Sequence, residues 1–300
     1  MSALSEFSCE SCGSLVQVEA HLRTATCPYC ASPAVIERPL SGGRPQPTFV
    51  LAFVLPHEAA LDAARRWVRR AWFAKEAFRK AKVEALRGIY VPAYLFSAAA
   101  HADYSAQIGE NYQETYTTTD SKGRTVTRTR TKTEWHTLSG RYAAYVSDVV
   151  VTASRGIQNH ELEGVEPFDL RALHRYSPRL LSGWIAEEAS MAAAECRQLA
   201  IDEAMAEVHQ RIAKILPGDK QRGLQVSARL EDIDQELLLV PVWVLPVRWG
   251  EEQEQVVRVL VNGQSGAVFG KPPRSWVKII ALVVVILGLI IGGWLLAQHL

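Results

Sequence analysis

The sequence predicts three parts in order: a small zinc ribbon, an α+β region and one C-terminal transmembrane helix. Three observations lead to this prediction: two Cys-x-x-Cys pairs near the start, helical patterns alternating with β-rich tracts in the middle, and an uncharged apolar run at the end. The expected parts are a ribbon at 1–40, a linker at 41–47, a first α+β unit at 48–160, a second helix-plus-β unit at 161–273 and a membrane helix at 276–297.

The first part contains four cysteines in two closely spaced pairs, Cys9, Cys12, Cys27 and Cys30. Fourteen residues separate the two pairs, which is close to the spacing of four-cysteine zinc sites. A tetrahedral Zn²⁺ takes two thiolates from each of two tight turns, and Gly13 and Pro28 suit such turns. Four protein ligands leave no open position on the metal, so the pattern predicts a structural zinc site.

Two disulfides, or a redox-active Cys-x-x-Cys, are the alternatives to zinc. The N-terminus, MSALSEFSCE, lacks the basic start and apolar run of a signal peptide. A reducing compartment is therefore expected, and there metal binding is favoured over disulfides. A redox motif explains one pair but not two. The fifth cysteine, Cys196, falls in a long helical pattern, where we expect a small packed side chain.

The apolar run at the end predicts a single membrane-spanning helix. No charged residue occurs from Ile279 to Ala297, a run of 19 residues. A helix of this length spans about 28 Å, close to the hydrocarbon thickness of a bilayer. A buried core helix is the alternative, but such helices seldom run this long without a polar face. Trp276 and Trp294 lie near the two ends, where indole rings favour the membrane interface.

The charges beside this run predict its orientation and a tail anchor. Lys271, Arg274 and Lys278 lie on its N-terminal side, whereas only Gln298 and His299 separate the run from the last residue. The positive-inside rule therefore places the N-terminal region in the cytoplasm.

Glycines within the run offer a route to self-association. Gly288 and Gly292 form a Gly-x-x-x-Gly step that permits close helix pairing, and hence a homo-oligomer. Small residues are common in membrane helices anyway, and that is the alternative reading.

The middle of the chain repeats one pattern. Helical spacing predicts helices from about His57 to Arg87 and from about Ala186 to Leu216, each followed by a strand with a Val-Pro-x-aromatic sequence (91–94 and 240–243). Two related helix-plus-antiparallel-sheet units are one interpretation. The first helix has an apolar stripe at helical spacing, formed by Leu61, Ala64, Val68, Ala71 and Trp72, and Trp67, Phe73 and Phe78 lie off this stripe. It carries nine Lys or Arg residues against four acidic ones. Such a helix either lies on an anionic membrane surface or exposes a solvated basic face, and the second reading is favoured.

Strict alternation predicts a β-hairpin from Thr115 to Trp135, with its turn at 120–123. Threonines occupy one face of its second strand, and the other face carries three cations, Arg128, Arg130 and Lys132. These three residues are candidates for contact with phosphates of nucleic acid or of lipid headgroups, although a solvated ribbon is the favoured reading.

Composition and motifs argue against two large classes of function. The net charge is +1, whereas a nucleic-acid-binding domain is usually strongly basic. No phosphate-binding loop, dinucleotide fingerprint, Gly-x-Ser-x-Gly elbow or His-Glu-x-x-His motif occurs, so the sequence predicts a protein that is not an enzyme.

Taken together, the chain resembles bacterial membrane proteins with an N-terminal transcription-factor-IIB-type zinc ribbon. The resemblance extends over nearly the whole chain and rests on the order of seven short segments: CxxCG…CPYC (9–30), PTF (47–49), GIYVPAY (88–94), DVVVTAS (148–154), PFDL (167–170), GWIAE (183–187) and VNGQSG (261–266). Relatives are often labelled helicase-like or primosomal from the ribbon alone, and this sequence contains no helicase motif.

The resemblance implies association with PspA-like and SPFH (flotillin-like) proteins in envelope stress or membrane organisation. The leading hypothesis is therefore a tail-anchored scaffold in the bacterial cytoplasmic membrane that recruits such cytoplasmic partners. The alternative is a membrane-tethered zinc-ribbon protein that binds nucleic acid through the ribbon and the hairpin.

Overall fold

A computed structural model describes residues 45–83, 86–119, 123–250 and 255–294, and the backbone of 4–8, 15–19, 24–26, 33–35 and 295–299. This part of the chain forms a sheet-rich α+β region followed by one long apolar helix. The coarse fold class predicted from the sequence is therefore confirmed.

Four short strands precede residue 45. Strand β1 (Leu4–Ser8) pairs antiparallel with β2 (Leu15–Glu19), and β3 (Thr24–Thr26) pairs antiparallel with β4 (Pro33–Val35). In the sequence, one Cys-x-x-Cys falls between the members of each pair. The four predicted zinc ligands, Cys9, Cys12, Cys27 and Cys30, lie outside the described residues, so the zinc site stays a prediction.

The other described strands form one eight-stranded sheet, and helices alternate with them along the sequence. Its elements are β5 (Phe49–Leu51), α1 (His57–Arg70), α2 (Glu76–Arg79), β6 (Arg87–Thr119), β7 (Thr125–Thr152), α3 (Asn159–Glu163), β8 (Leu173–Arg175), β9 (Ile185–Ala186), α4 (Ala193–Ile215), β10 (Lys220–Trp249), β11 (Gln255–Asn262), β12 (Val268–Gly270) and α5 (Trp276–His299). The strand order is β12-β11-β10-β5-β8, and β6 pairs with β10, β7 and β9. The β5–β10 and β6–β9 pairs are parallel, whereas β10–β11, β11–β12 and β5–β8 are antiparallel.

The chain divides into two compact units, each built from several segments. The first unit comprises Met1–Ala93, Thr152–Met191 and Leu237–Leu300, and the second comprises Tyr94–Val151 and Ala192–Glu236. Strands β6 and β10 each run from one unit into the other. The units predicted at 48–160 and 161–273 are continuous in sequence, unlike these.

The core of the first unit contains side chains of α1 and of strands β10 and β11. Helix α1 buries four residues on one face, Ala60, Leu61, Ala64 and Val68. They belong to one apolar cluster with residues of β10 and β11, including Trp243, Leu245, Val247, Val259 and Val261. Periodicity predicted three of the four α1 positions, and the β partners follow from the alternation of side chains along a strand.

The core of the second unit depends on small side chains. Helix α4 buries every fourth residue completely, at Cys196, Ala200, Ala204, Val208 and Ile212. On β6, Phe96, Ala98, Ala100 and Ala102 are buried at alternate positions. Side chains at every fourth helical position share one face, so α4 presents a single narrow stripe to the core.

Two helix predictions need correction. The helix expected from 57 to 87 ends at Arg70, and β6 already begins at Arg87. Its pattern is interrupted because the backbone of 73–75 hydrogen-bonds to residues 273–275 instead of continuing the helix. The helix expected from 186 begins only at Ala193, since residues 185–186 are taken up as strand β9 beside β6. Its predicted end is confirmed within one residue.

Candidate membrane-anchor site

Helix α5 is long and apolar enough to span a membrane. Residues 276–294 meet this description, and none of the span is buried inside the structure. The alternative of a buried core helix is therefore wrong for this segment. Leu289 is 72% exposed and Val277 79% exposed, so the apolar face of the helix is left without cover in the described part of the chain.

The start of α5 is fixed to the turn between α1 and α2. We call residues 71–76 and 273–278 the anchor junction. The amide of Lys75 donates to the carbonyl of Pro273 (3.0 Å), and the amide of Ser275 donates to the carbonyl of Phe73 (2.6 Å). Ala74 and Arg274 form an antiparallel β-bridge between the same two segments. The apolar helix is thus joined to the fold through backbone contacts, as well as through the chain itself.

A lysine on α5 completes the anchor junction. The Lys278 ammonium donates to the carbonyls of Ala74 (3.0 Å) and Trp72 (3.3 Å) and lies 3.7 Å from a Glu76 carboxylate oxygen. Lys80, foremost, and then Lys278 and Arg79 lower the pKa of the Glu76 carboxyl. Lys278 was predicted only as a topology-setting charge. In the structure it also caps the open carbonyls of the turn.

Exposed aromatic side chains surround the point where α5 begins. Trp72 is 74% exposed and Phe73 49% exposed, and both belong to the anchor junction together with Trp276, which is 66% exposed. Indole rings favour the interface between hydrocarbon and water. The sequence carried a signal for this site, because Phe73 lies off the apolar stripe of the basic helix. Trp72 was assigned to that stripe, and its exposure corrects the assignment.

The glycines proposed for helix pairing lie on α5. Nothing comes within 4 Å of a Cβ built on Gly288 or Gly292. Their spacing of four places them on one helical face. Pairing of two copies through this face stays a prediction.

The hairpin predicted at 115–135 is confirmed as the meeting of β6 and β7, with residues 120–122 of the turn outside the described part. Two of its three candidate cations are already paired. The Glu114 carboxylate accepts from Arg130 (2.5 Å) and Lys132 (2.7 Å), and these contacts lower its pKa, with Lys132 the largest cause. The Arg130 guanidinium also lies 5.0 Å from the ring centre of Tyr116. Only Arg128 of the three has no partner among the described residues.

Segments quoted for the family resemblance are joined by hydrogen bonds within the first unit. The amide of Glu187 donates to the carbonyl of Tyr90 (3.0 Å), which links GWIAE to GIYVPAY. The amide of Asp169 donates to the side chain of Gln264 (3.0 Å), which links PFDL to VNGQSG. Phe53 stacks on Trp184 with ring centres 4.0 Å apart. We call these joined segments the motif cluster.

Asn262 holds the loop at 165–167 against the VNGQSG segment of the motif cluster. Its side chain is fully buried and makes four hydrogen bonds. The amide nitrogen donates to the carbonyls of Val165 (2.9 Å) and Pro167 (3.1 Å), and the amide oxygen accepts from the amides of Gln264 (2.8 Å) and Ser265 (3.0 Å). An Asn-Gly pair is typical of a tight turn, and Asn262-Gly263 is one. Its role as a clamp on a distant loop was not predicted.

A serine of the DVVVTAS segment contacts a carboxylate of the GWIAE segment. The Ser154 hydroxyl donates to Glu187 (2.7 Å) and accepts from the amide of Gly156 (2.9 Å). Ser154 is buried, and its hydroxyl is engaged on both sides. This arrangement holds the residues just after β7 against the segment that carries Glu187.

Within the described residues, no group of three or more His, Cys, Asp or Glu side chains is arranged to hold a metal ion. Cys196 is buried on α4, as expected, and burial raises the pKa of its thiol to about 11. A thiol with so high a pKa carries little thiolate at neutral pH, so its chemistry is that of a packed apolar side chain.

Comparisons with known proteins add one distant relative. No family model matches the chain, and no solved structure matches it significantly. The chain is 23% identical over 241 residues to the uncharacterized protein YdjG of Bacillus subtilis (strain 168). The aligned region covers 80% of this chain and 67% of the relative. Structure and comparisons together define the class only as a sheet-rich α+β protein with a C-terminal apolar helix.

Proposed function

We propose that this protein is a non-enzymatic scaffold, tail-anchored in the bacterial cytoplasmic membrane, with its N-terminal region in the cytoplasm. The observation that carries the proposal is the anchor junction. Backbone hydrogen bonds and Lys278 hold the first unit against the start of an apolar helix that is long enough to cross a bilayer. A rigid connection of this kind presents the folded region at a fixed place beside the membrane.

The zinc ribbon is the proposed recognition module. Its support is that each Cys-x-x-Cys falls between the two strands of an antiparallel pair. Zinc binding by four thiolates would fold such a small element, with an apparent free energy of about 10–16 kcal/mol in comparable peptides. The partner class, PspA-like or flotillin-like proteins, comes from the family resemblance.

Purification from mild detergent tests this proposal. The full-length protein and its Cys9→Ser/Cys27→Ser variant are pulled down side by side, and zinc and co-purified proteins are measured in both. We expect about one zinc per chain and a PspA-like or flotillin-like partner on the native protein only, since one tetrahedral site uses all four thiolates. If the zinc-free variant retains the partner, the α+β region makes the contact and the ribbon does not.

Two further outcomes would overturn parts of the proposal. Enrichment of nucleic acid in place of protein, falling steeply with salt and on replacement of Arg128 and Arg130, would replace the scaffold with the nucleic-acid-binding alternative. Removal of residues 276–300 is expected to release the protein into the soluble fraction. If the full-length protein is found in the soluble fraction, the segment does not act as a membrane anchor.

A further inference from the structure

Five basic residues line an open cavity beside the anchor junction. The cavity measures about 310 Å³, and its basic lining consists of Arg65 and Arg69 from α1 and Arg79, Lys80 and Lys82 from α2 and the segment after it. We call it the basic cavity. No acidic side chain belongs to its lining in the part of the chain that the structure describes. The helix break after Arg70 creates this shape, since it folds the second half of the basic segment back toward α1.

The walls of the basic cavity are held by side-chain contacts to backbone. The Arg79 guanidinium donates to the carbonyl of Arg69 (3.1 Å), and the Arg65 guanidinium donates to the carbonyl of Val83 (3.4 Å). Both contacts tie α1 to the α2 segment. The cavity is therefore a built feature of the fold, rather than a gap between independent surface chains.

Two of the five cations have no counter-charge among the residues that the structure describes. Glu76 pairs with Arg79 and Lys80, and Asp62 pairs with Arg65. Arg69 and Lys82 have no hydrogen-bond or ion-pair partner for their side chains among the described residues. An unpaired guanidinium and an unpaired ammonium facing one cavity form a recognition site for a phosphate group, which the guanidinium engages through two parallel N–H donors.

Glu76 connects the edge of the basic cavity to the start of the apolar helix. One carboxylate oxygen lies 3.3 Å from the Lys80 ammonium, and the other lies 3.7 Å from the Lys278 ammonium on α5. The cavity edge is thus one carboxylate away from the start of the apolar helix. Headgroups occupy roughly 5–8 Å on each side of the hydrocarbon layer, so a site in this position reaches them. The exposed Trp72 and Phe73 flank the same start.

We propose that the basic cavity binds the phosphate-bearing headgroup of an anionic phospholipid. Arg69 and Lys82 contact the phosphate, and Arg65, Arg79 and Lys80 supply the surrounding positive field. A lipid is favoured over a free phosphate because the site lies at the membrane end of the first unit, beside exposed aromatic side chains. This proposal rests on the membrane anchor proposed above, and it adds a specific lipid contact to it.

Lipid binding to the full-length protein in detergent tests the site. The delipidated protein is titrated with dioleoylphosphatidylglycerol, and bound lipid is counted by native mass spectrometry. Dioleoylphosphatidylcholine and inorganic phosphate serve as comparison ligands. We expect the first phosphatidylglycerol to bind at least tenfold more tightly than phosphatidylcholine. Arg69→Gln/Lys82→Gln should weaken this binding roughly 10- to 30-fold, because the charge-assisted hydrogen bonds of both side chains to the phosphate are lost.

Matched variants separate the cavity from general charge. Arg66→Gln/Arg70→Gln removes two charges from the same helix, but neither residue lines the cavity. This control is expected to change binding less than about threefold if the cavity is the site, because diffuse attraction alone is weak. Arg69→Lys/Lys82→Arg, which keeps both charges, should retain most of the binding. All four side chains are exposed, so folding is not at risk in these variants.

Three results would overturn the proposal. Equal binding of phosphatidylglycerol and phosphatidylcholine would remove headgroup recognition. If the cavity variant and the control variant lose phosphatidylglycerol binding equally, the binding depends on total charge and not on the cavity. Displacement of the lipid by inorganic phosphate at similar concentration would assign the cavity to a soluble phosphate. None of these results changes the expected location of the protein in the membrane fraction. If the membrane anchor itself were wrong, the full-length protein would be in the soluble fraction.

Discussion

Replacement of Asn262 by alanine gives the sharpest test of the motif cluster. The side chain is fully buried and makes four hydrogen bonds, two to carbonyls of the loop at 165–167 and two to amides of its own turn. A neutral hydrogen bond contributes about 1 kcal/mol net, and buried groups left without partners add to the loss. Asn262→Ala is therefore expected to lower the free energy of unfolding by about 4 kcal/mol. That is a large fraction of the 5–15 kcal/mol typical of a folded protein.

The assay is thermal unfolding of the full-length protein in detergent, followed by near-ultraviolet circular dichroism. A loss of about 4 kcal/mol corresponds to a Tm lower by roughly 8–16 °C for a region of this size. Gln264→Ala is the matched control, because it removes one exposed hydrogen bond from the same turn. Asn262→Asp should be at least as harmful as alanine, since it turns a carboxylate oxygen toward two carbonyls. If the free energies of unfolding of Asn262→Ala and Gln264→Ala differ by less than about 1 kcal/mol, Asn262 does not hold the loop at 165–167 as described.

Two further predictions concern α4 and the anchor junction. Ala204→Leu should lower the free energy of unfolding by about 1–3 kcal/mol, because the position is completely buried. Ala206→Leu, on the exposed face of α4, should change the free energy of unfolding by less than about 0.5 kcal/mol. Urea unfolding measures both variants. The lowered pKa of Glu76 means that its pairing with Lys278 is complete above about pH 4.5 and is lost as the pH falls through the lower folded-state pKa. Hydrogen exchange at the Ser275 amide, corrected for the intrinsic rate, should therefore lose protection as the pH falls from about 6 through the lowered pKa of Glu76, whereas Glu76→Gln should show low protection throughout. Unchanged protection in the native protein across this range would mean that the backbone bonds alone hold the junction.

The hairpin bears on the choice between the scaffold and the nucleic-acid-binding alternative. Its alternation of threonine and cations suggested an anion-binding face. In the structure, Glu114 on the neighbouring strand holds two of the three cations, Arg130 and Lys132, at hydrogen-bonding distance. A site that tracks a phosphate backbone depends on several unpaired cations in a row. The basic cavity meets the requirement for a single phosphate better, because Arg69 and Lys82 both line it and have no side-chain partner among the described residues.

Sequence alone determined the features that depend on local pattern. A run of 19 uncharged residues is visible without any tertiary knowledge, and α5 occupies it. Alternation over 125–133 predicted a strand, and β7 begins at Thr125. The end of α4 was predicted within one residue, since Pro217 cannot continue a helix. In each case the deciding interaction is between neighbours in the chain.

Tertiary structure decided where distant segments meet. The basic segment reads as one helix, yet it breaks after Arg70 because residues 273–275 offer backbone partners that its own helix cannot supply. That break produces both the anchor junction and the basic cavity. The pairing of Glu114 with the hairpin cations and the reach of Asn262 to the loop at 165–167 likewise join residues separated by 16 to 97 positions. Local propensity is weaker than such contacts, so these features follow from the fold and could not be predicted from the sequence pattern.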